Sequence, residues 1–175
     1  MKKNIKRTLK FVTLLVSSLL IATASAGVVR YMNIQGSVSI GVGGLAWVKG
    51  VDEEGVNVTI GGETASITLS LNNGTAYNVT NHLFLKNLDS DKNYSVTINV
   101  TDPADSSLYD TFNIVIYHNT TNTQIASLNA LSQDSDSGTI LQDEVWHITF
   151  YIETKADAST TSDDTFTVKF TYEQV

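Results

Sequence analysis

Apolar and polar residues alternate one for one along most of the chain after residue 35. A period of two is typical of β-strands that bury one face, and no long stretch has the 3.6-residue period of a helix. The alternation predicts a set of inward-facing residues, strand by strand: Val38, Ile40, Val42; Val56, Val58, Ile60; Ile67, Leu69, Leu71; Tyr94, Val96, Ile98, Val100; Phe112, Ile114, Ile116; Trp146, Ile148, Phe150, Ile152; and Phe166, Val168, Phe170, Tyr172.

Turn residues separate these strands. Gly61-Gly62 predicts a tight turn, and Asn72-Asn-Gly74 predicts a hairpin because Asn-Gly tolerates the positive φ of primed turns. Residues 81–88 are less regular, 118–137 are polar with weak alternation, and 155–164 read as a loop. Roughly eight or nine short strands at this spacing predict an all-β fold, an antiparallel sandwich of the jelly-roll or immunoglobulin-like type.

The start of the chain is different. A basic stretch precedes an apolar run, Phe11 to Ala26, which ends in the small-residue site Ala24-Ser-Ala26. This layout predicts a signal peptide over residues 1–26 and a secreted protein located outside the cell or at its surface. A retained membrane anchor and a pilin-type signal cut ahead of the apolar run are the alternatives. The basic residues are Lys2, Lys3, Lys6, Arg7 and Lys10.

The net charge limits the kinds of partner that this chain can bind, and the absence of cysteine limits the ways in which the fold can be stabilised. Cleavage after Ala26 removes five of the 11 basic residues and none of the 18 acidic ones, so the net charge changes from −7 to 6 − 18 = −12. Such a chain is unsuited to nucleic acid, whose phosphates need Lys and Arg, and no membrane contact is expected after signal removal. Because the chain has no cysteine, packing, a metal or assembly must hold it together outside the cell.

Six Asn-x-Ser/Thr sequons are present, which predicts a surface that carries sugar. A Thr/Asn-rich β-protein also produces sequons by chance, which is the alternative. The strand register places Asn57 and Asn99 on outward faces. The predicted glycosylation sites are Asn57, Asn73, Asn78, Asn93, Asn99 and Asn119.

The chain shows little catalytic material. It has no G-x-S-x-G elbow and no HExxH pair, and His147 is expected to be a solvated strand residue, so we predict that the protein is not an enzyme. No cofactor is predicted. Calcium is the one metal that the acidic loops would suit, with turn formation as the alternative role of the aspartates. The acidic pairs are Asp89/Asp91, Asp102/Asp105, Asp134/Asp136 and Asp163/Asp164, and the aromatic residues considered for a carbohydrate platform are Trp47, Tyr77 and Tyr109.

The layout resembles that of the TasA/camelysin-like filament subunits and of archaeal bundling pili and thread-type filaments. The resemblance rests on a signal ending in Ala-x-Ala, a short apolar segment after it, a Gly/Ser-x-Val strand and a closing aromatic strand. Sequon density favours the archaeal relatives. The resemblance lies in three segments: the apolar segment Gly27 to Ile34, the strand Gly36-Ser-Val-Ser-Ile40, and the closing strand Asp164-Thr-Phe-Thr-Val-Lys-Phe-Thr-Tyr172.

The resemblance implies a jelly-roll-like sandwich that polymerises by donor-strand complementation, in which an N-terminal segment completes a neighbour's sheet. Carried onto this chain, it implies a protruding donor strand over 27–35, a sandwich over 36–175, and self-association head to tail. Val28, Met32 and Ile34 lie on one face of the donor, Val29 and Tyr31 on the other, and the entering face stays open. In the alternative, Val28 to Ile34 is the first strand of its own domain.

The predicted function is therefore a structural subunit of an extracellular filament for adhesion or biofilm cohesion, with surface or biofilm glycans as further partners. A calcium-dependent tube-forming subunit is a close alternative. Two alternatives come from other classes: a monomeric secreted module that binds carbohydrate or a cell surface, and an anchored or surface-layer accessory protein.

Overall fold

A computed structural model describes residues 31–39, 44–158 and 163–175. Within these residues the fold is all-β, without a helix, and its eleven strands form two sheets that face each other. Sheet A has the order β3-β4-β1-β11-β6-β9, and sheet B the order β2-β5-β10-β7-β8. The strands are β1 (Tyr31–Ser39), β2 (Leu45–Lys49), β3 (Val56–Gly61), β4 (Thr64–Asn72), β5 (Ala76–Asn87), β6 (Tyr94–Asp102), β7 (Tyr109–His118), β8 (Gln124–Asn129), β9 (Ser135–Ile140), β10 (Val145–Thr154) and β11 (Asp164–Gln174).

The core lies between the two sheets and follows the predicted alternation. The inward residues of β4, β6, β7 and β10 are almost fully buried, which confirms their predicted faces. Aromatic rings join the sheets: Trp47 meets Phe170 edge-on at 5.1 Å, and Phe166 meets Phe112 at 5.0 Å. Val56, Ile60 and Tyr172 pack at the rim and are only half-buried, while Ile40 and Val42 lie outside the described residues.

Residues 76–87 form one long strand, β5, and the segment predicted to be less regular contains a distortion, because Asn81 adopts a φ of 65° and shifts the alternation inside the strand. The hairpin predicted at Asn72 to Gly74 is wrong. The turn at Asn72 to Gly74 has the expected positive φ at Gly74, 66°, but it leads from sheet A to sheet B. It makes no hairpin, because β1 and β3 already occupy both sides of β4.

A buried threonine holds this turn against β10. Thr154 is 1% exposed, and its hydroxyl donates to the carbonyl of Asn72 at 2.7 Å while accepting from the amide of Thr75 at 3.1 Å. The side chain therefore satisfies polar backbone groups on both sides of a crossing between sheets. Buried polar groups left without such partners are costly.

The edge strand β8 is protected by carboxylates. Asp136 accepts from the amide of Ser127 at 2.8 Å, and Asp134 accepts from the amide of Asn129 at 2.7 Å. Amides on an open edge are a template for pairing with other chains, and capping them opposes that pairing. Both aspartates come from β9 or the turn before it, so they also join the adjacent edges of sheets A and B.

Replacing Thr154 by valine keeps the shape of the side chain and removes its hydroxyl. We expect Thr154→Val to lower the free energy of unfolding by about 1–3 kcal/mol, because the Asn72 carbonyl and the Thr75 amide lose their partner. Urea unfolding measures the difference. Thr171→Val is the matched control on an exposed position and should stay within about 0.5 kcal/mol. Equal effects of the two substitutions would contradict the role assigned to Thr154.

Candidate assembly site

The strand β1 occupies a slot between β4 and β11. It pairs antiparallel with β4 from Tyr31 opposite Asn72 to Ser39 opposite Thr64, and parallel with β11 from Ile34 opposite Asp164 to Ser39 opposite Lys169. Every other strand pair that the structure describes is antiparallel. β1 is therefore the strand that joins β4 to the rest of sheet A, and it uses hydrogen-bonding groups on both of its sides.

The predicted donor segment overlaps this strand. Tyr31, Met32 and Ile34 lie in β1, while Val28 and Val29 and the predicted signal peptide lie outside the described residues. β1 continues through the predicted boundary between residues 35 and 36 without a break. In the single chain, the described part of the segment pairs with its own domain and does not protrude from it.

The strand register identifies the core-facing side of β1. Gly36 and Val38 are buried, whereas Gln35 and Ser37 are exposed. The β4 residues opposite positions 32, 34, 36 and 38 are at most 2% exposed, and directly opposite residues share a face of the sheet. These β4 residues are Leu71, Leu69, Ile67 and Ala65.

Gly36 makes room for the aromatic centre of the core. A Cβ atom at Gly36 would lie 2.2 Å from Cζ of Phe166, the residue directly opposite it on β11. The Phe166 ring is itself held by Phe112 and by Phe150, whose ring centroid lies 6.2 Å away. The ring therefore lies over the backbone of β1, and only glycine fits beneath it.

The predicted glycosylation sites differ in exposure. Asn57, Asn78 and Asn119 are exposed, and Asn93 and Asn99 are half-exposed on the surface. Asn73 is held by the fold: its amide nitrogen donates to the carbonyl of Ala158 at 2.7 Å, and its Oδ1 is buried with no hydrogen-bond partner among the residues that the structure describes. A sequence motif alone could not separate Asn73 from the other sites.

At least one aspartate of each acidic pair accepts a hydrogen bond from a backbone amide or a tyrosine hydroxyl. Asp105 accepts from the amide of Ser107 at 2.8 Å, and this bond lowers the pKa of Asp105. Asp89 accepts from the hydroxyl of Tyr94, which raises the pKa of Tyr94 to about 12. Within the part of the chain that is described, no group of three or more His, Asp or Glu residues could hold a metal ion.

The aromatic residues considered for a sugar platform do not form one. Trp47 and Tyr109 are 5% and 1% exposed, and Tyr77 packs at the edge of the core. The expectation for His147 is also wrong: it lies on the outer face of sheet B but is 7% exposed, because Tyr117 stacks on it at 5.2 Å. The two residues are directly paired on the neighbouring strands β10 and β7 but lie far apart in sequence, so a local pattern cannot show this contact.

Comparison with known proteins finds no matching family model and no matching curated protein. Among the residues in the described ranges, no helix is long and apolar enough to cross a membrane. The case for a function therefore rests on the geometry of β1 and its slot.

We expect Gly36→Ala to destabilise the domain by about 1–3 kcal/mol, because the added methyl group collides with a ring that the core holds in place. Thermal or urea unfolding measures the loss. Ser37→Ala, on the exposed face of the same strand, is the matched control and should be nearly neutral. A neutral Gly36→Ala variant would show that Phe166 does not depend on the glycine.

Asn73 should carry the least sugar of the six sequons, because its amide nitrogen is held against the Ala158 carbonyl and is less accessible to the glycosylating enzyme than an exposed asparagine. Mass spectrometry of glycopeptides from the exported protein measures occupancy at each site. A synthetic peptide spanning Asn73 should be glycosylated normally by the same machinery, since it lacks the fold. Full occupancy of Asn73 in the folded protein would contradict this explanation.

Proposed function

We propose that this protein is a secreted, N-glycosylated subunit of an extracellular filament, in which β1 of each subunit fills the slot between β4 and β11 of its neighbour. The observation that carries the proposal is the position of β1. This strand is inserted between β4 and β11 and joins β4 to the rest of sheet A. Residues 1–26 act as the removed signal, and residues from 27 onward are the exported chain.

The strand order supports a jelly roll completed by an additional strand. In an eight-stranded jelly roll, the first, eighth, third and sixth strands form one sheet, and the second, seventh, fourth and fifth form the other. The strands β4 to β11 have this order: β4, β11, β6 and β9 in sheet A, and β5, β10, β7 and β8 in sheet B. The first and last strands of such a roll are neighbours, whereas here β1 lies between them.

A slot of this kind needs an occupant. Without β1, the facing edges of β4 and β11 would lose their hydrogen-bond partners, and Phe166, Ile67 and Leu69 would lose a covering strand. A strand from any copy of the chain restores the same contacts, since its sequence is identical. Exchange of an identical element is a low-cost route to assembly, and a head-to-tail exchange that does not close produces a filament.

The register of β1 with β4 favours one face of the donor strand as the face that enters the neighbour's slot. Positions 32 and 34 share their parity with Gly36 and Val38, which face the core. We propose that this even-numbered side enters the neighbour's slot. The segment Ile40-Gly-Val-Gly-Gly44, which links β1 to β2, is rich in glycine, and glycine permits many backbone directions for the departing strand.

The pairing of β1 within its own chain favours a second candidate, a monomeric secreted sandwich that is complete by itself. The two candidates share every contact of β1 and differ only in which chain provides the strand. A covalent link between β1 and β11 therefore separates them.

Cysteines at Ser37 and Thr167 provide that link. The two residues are directly paired, their hydroxyl oxygens lie 3.4 Å apart, and the chain has no other thiol. In oxidised filaments of Ser37→Cys/Thr167→Cys, strand exchange predicts a ladder of covalent oligomers on a non-reducing gel, because each disulfide joins two subunits. The filaments are first identified by electron microscopy.

The control pair is Thr97→Cys with Thr171→Cys, which joins β6 to β11 and leaves β1 untouched. It should give monomers whether or not filaments form. Filaments of the first variant that run only as monomers would refute strand exchange by β1. A protein that stays monomeric at every concentration and closes its disulfide internally would establish the second candidate.

A further inference from the structure

The outer face of sheet B carries a groove of about 290 Å³ at its centre, away from the β1 slot. Most of its lining residues come from β5, β10 and β7. None of the described residues that line it is charged. Polar groups and aromatic rings share the surface. Six of the residues that line the groove are Asn78, Thr80, Tyr117, His147, Thr149 and Tyr151.

The rings of the groove are held in place by one another. Tyr117 stacks on His147 with the ring planes 22° apart, and the hydroxyls of Tyr117 and Tyr151 lie 3.2 Å from each other. His147 and Thr149 are buried although they are on the outer face of the sheet. Preformed rings of this kind bind a flat apolar surface at little entropic cost.

The groove also holds unused hydrogen-bonding capacity. Nδ1 of His147 is buried and has no hydrogen-bond partner within the described chain. Burial lowers the pKa of His147, so the ring is neutral at neutral pH. A neutral ligand rich in hydroxyl or amide groups suits this surface better than an ion.

A predicted glycosylation site lies in the wall of the groove. Asn78 and Thr80 form the sequon Asn78-Val-Thr80, and both residues line the groove. Asn78 is exposed and directly opposite Tyr151 in the ladder between β5 and β10. Directly opposite residues have Cβ atoms about 5 Å apart, so a sugar on Asn78 starts beside the Tyr151 ring.

We propose that the first sugars of a glycan on Asn78 fold back into this groove and stack on the Tyr151 and Tyr117 rings. A pyranose has an apolar C–H face that matches an aromatic ring, and hydroxyl and acetamido edges that match the polar groups around it. The inference rests on the N-glycosylation included in the proposed function. It assigns the Asn78 glycan a structural role.

The sequon at Asn99 differs from the one at Asn78 in its surroundings. Asn99 and Thr101 also line a depression, on sheet A, but its other lining residues include Lys169, Gln133 and Asp134 and no aromatic ring. A glycan that lies in this depression therefore meets no ring among the described residues that line it. The same modification at two surface depressions should have different consequences for stability.

The test is a double-mutant cycle in protein exported by a host that N-glycosylates it, with glycopeptide mass spectrometry to establish occupancy. Asn78→Gln should lower the melting temperature by about 2–4 °C, the shift typical of one stacking contact in a domain of this size. In a Tyr151→Ala background the same substitution should cause a clearly smaller shift, because only the Tyr117 ring is left for stacking. Tyr151→Phe, which keeps the ring, should retain the coupling, and Tyr117→Ala provides a second ring variant if Tyr151→Ala does not fold.

Two controls isolate the glycan. In protein made without glycosylation, Asn78→Gln should leave the melting temperature unchanged, and in glycosylated protein Asn99→Gln should cause a shift that is independent of Tyr151. An Asn78→Gln effect of equal size with and without Tyr151 overturns the proposal. So does binding of free oligosaccharides by the unglycosylated protein through Tyr151, which would make the groove a site for an external sugar.

The outcomes also separate this inference from the proposed function. Sugar on other sequons but not on Asn78 overturns the inference and leaves N-glycosylation standing, whereas sugar on no sequon overturns both. Filament formation is scored separately by electron microscopy of Asn78→Gln, which should still assemble because the groove lies on sheet B and β1 lies in sheet A.

Discussion

The closure of sheet A by β1 is the interaction on which the rest of the structure depends. β1 satisfies the facing edges of β4 and β11, and its buried glycine leaves room for the Phe166 ring. That ring contacts aromatic residues of the opposite sheet, so the strand in the slot and the core between the sheets are one packing unit. Because the chain has no cysteine, no covalent bond takes over this task.

The protection of the outer strands follows a different principle. At β8 the outward amides are capped by Asp134 and Asp136, which leaves little for another chain to pair with. Pairing between subunits is therefore discouraged at that edge, whereas in the proposed assembly a neighbour's strand would meet two complementary edges, those of β4 and β11, and the buried apolar residues of β4. This contrast favours insertion of a strand over lateral pairing of sheets.

The sequence predicts the parts of the fold that depend on local alternation. The inward faces of β4, β6, β7 and β10 follow from a period of two, because each of these strands separates the core from solvent. The strand β9, Ser135–Ile140, has almost no apolar residue, so only its pairing with β6 identifies it. The turn after Asn72 shows the same limit, because its local geometry is correct but its destination depends on which strands already flank β4.

The candidate sites, too, are predicted in part by local sequence and in part only by contacts between distant residues. A motif identifies six asparagines, but the bond from Asn73 to Ala158 and the rings opposite Asn78 come from residues distant in sequence. The position of the donor segment is likewise predicted from an apolar stretch, whereas its entering face requires the register with β4. Long-range pairing, which no local pattern contains, supplies the missing information in each case.

In the proposed assembly, the balance between a closed monomer and a filament depends on the linker, because β1 would make identical contacts in either chain. An intramolecular strand has the advantage of a high effective concentration, which falls as the linker becomes unable to span the distance to its own slot. The segment 40–43 must take the chain from β1 in sheet A to β2 at the edge of sheet B. On this proposal the reach of the linker, rather than a contact in the core, decides whether the slot is filled from within or by a neighbour.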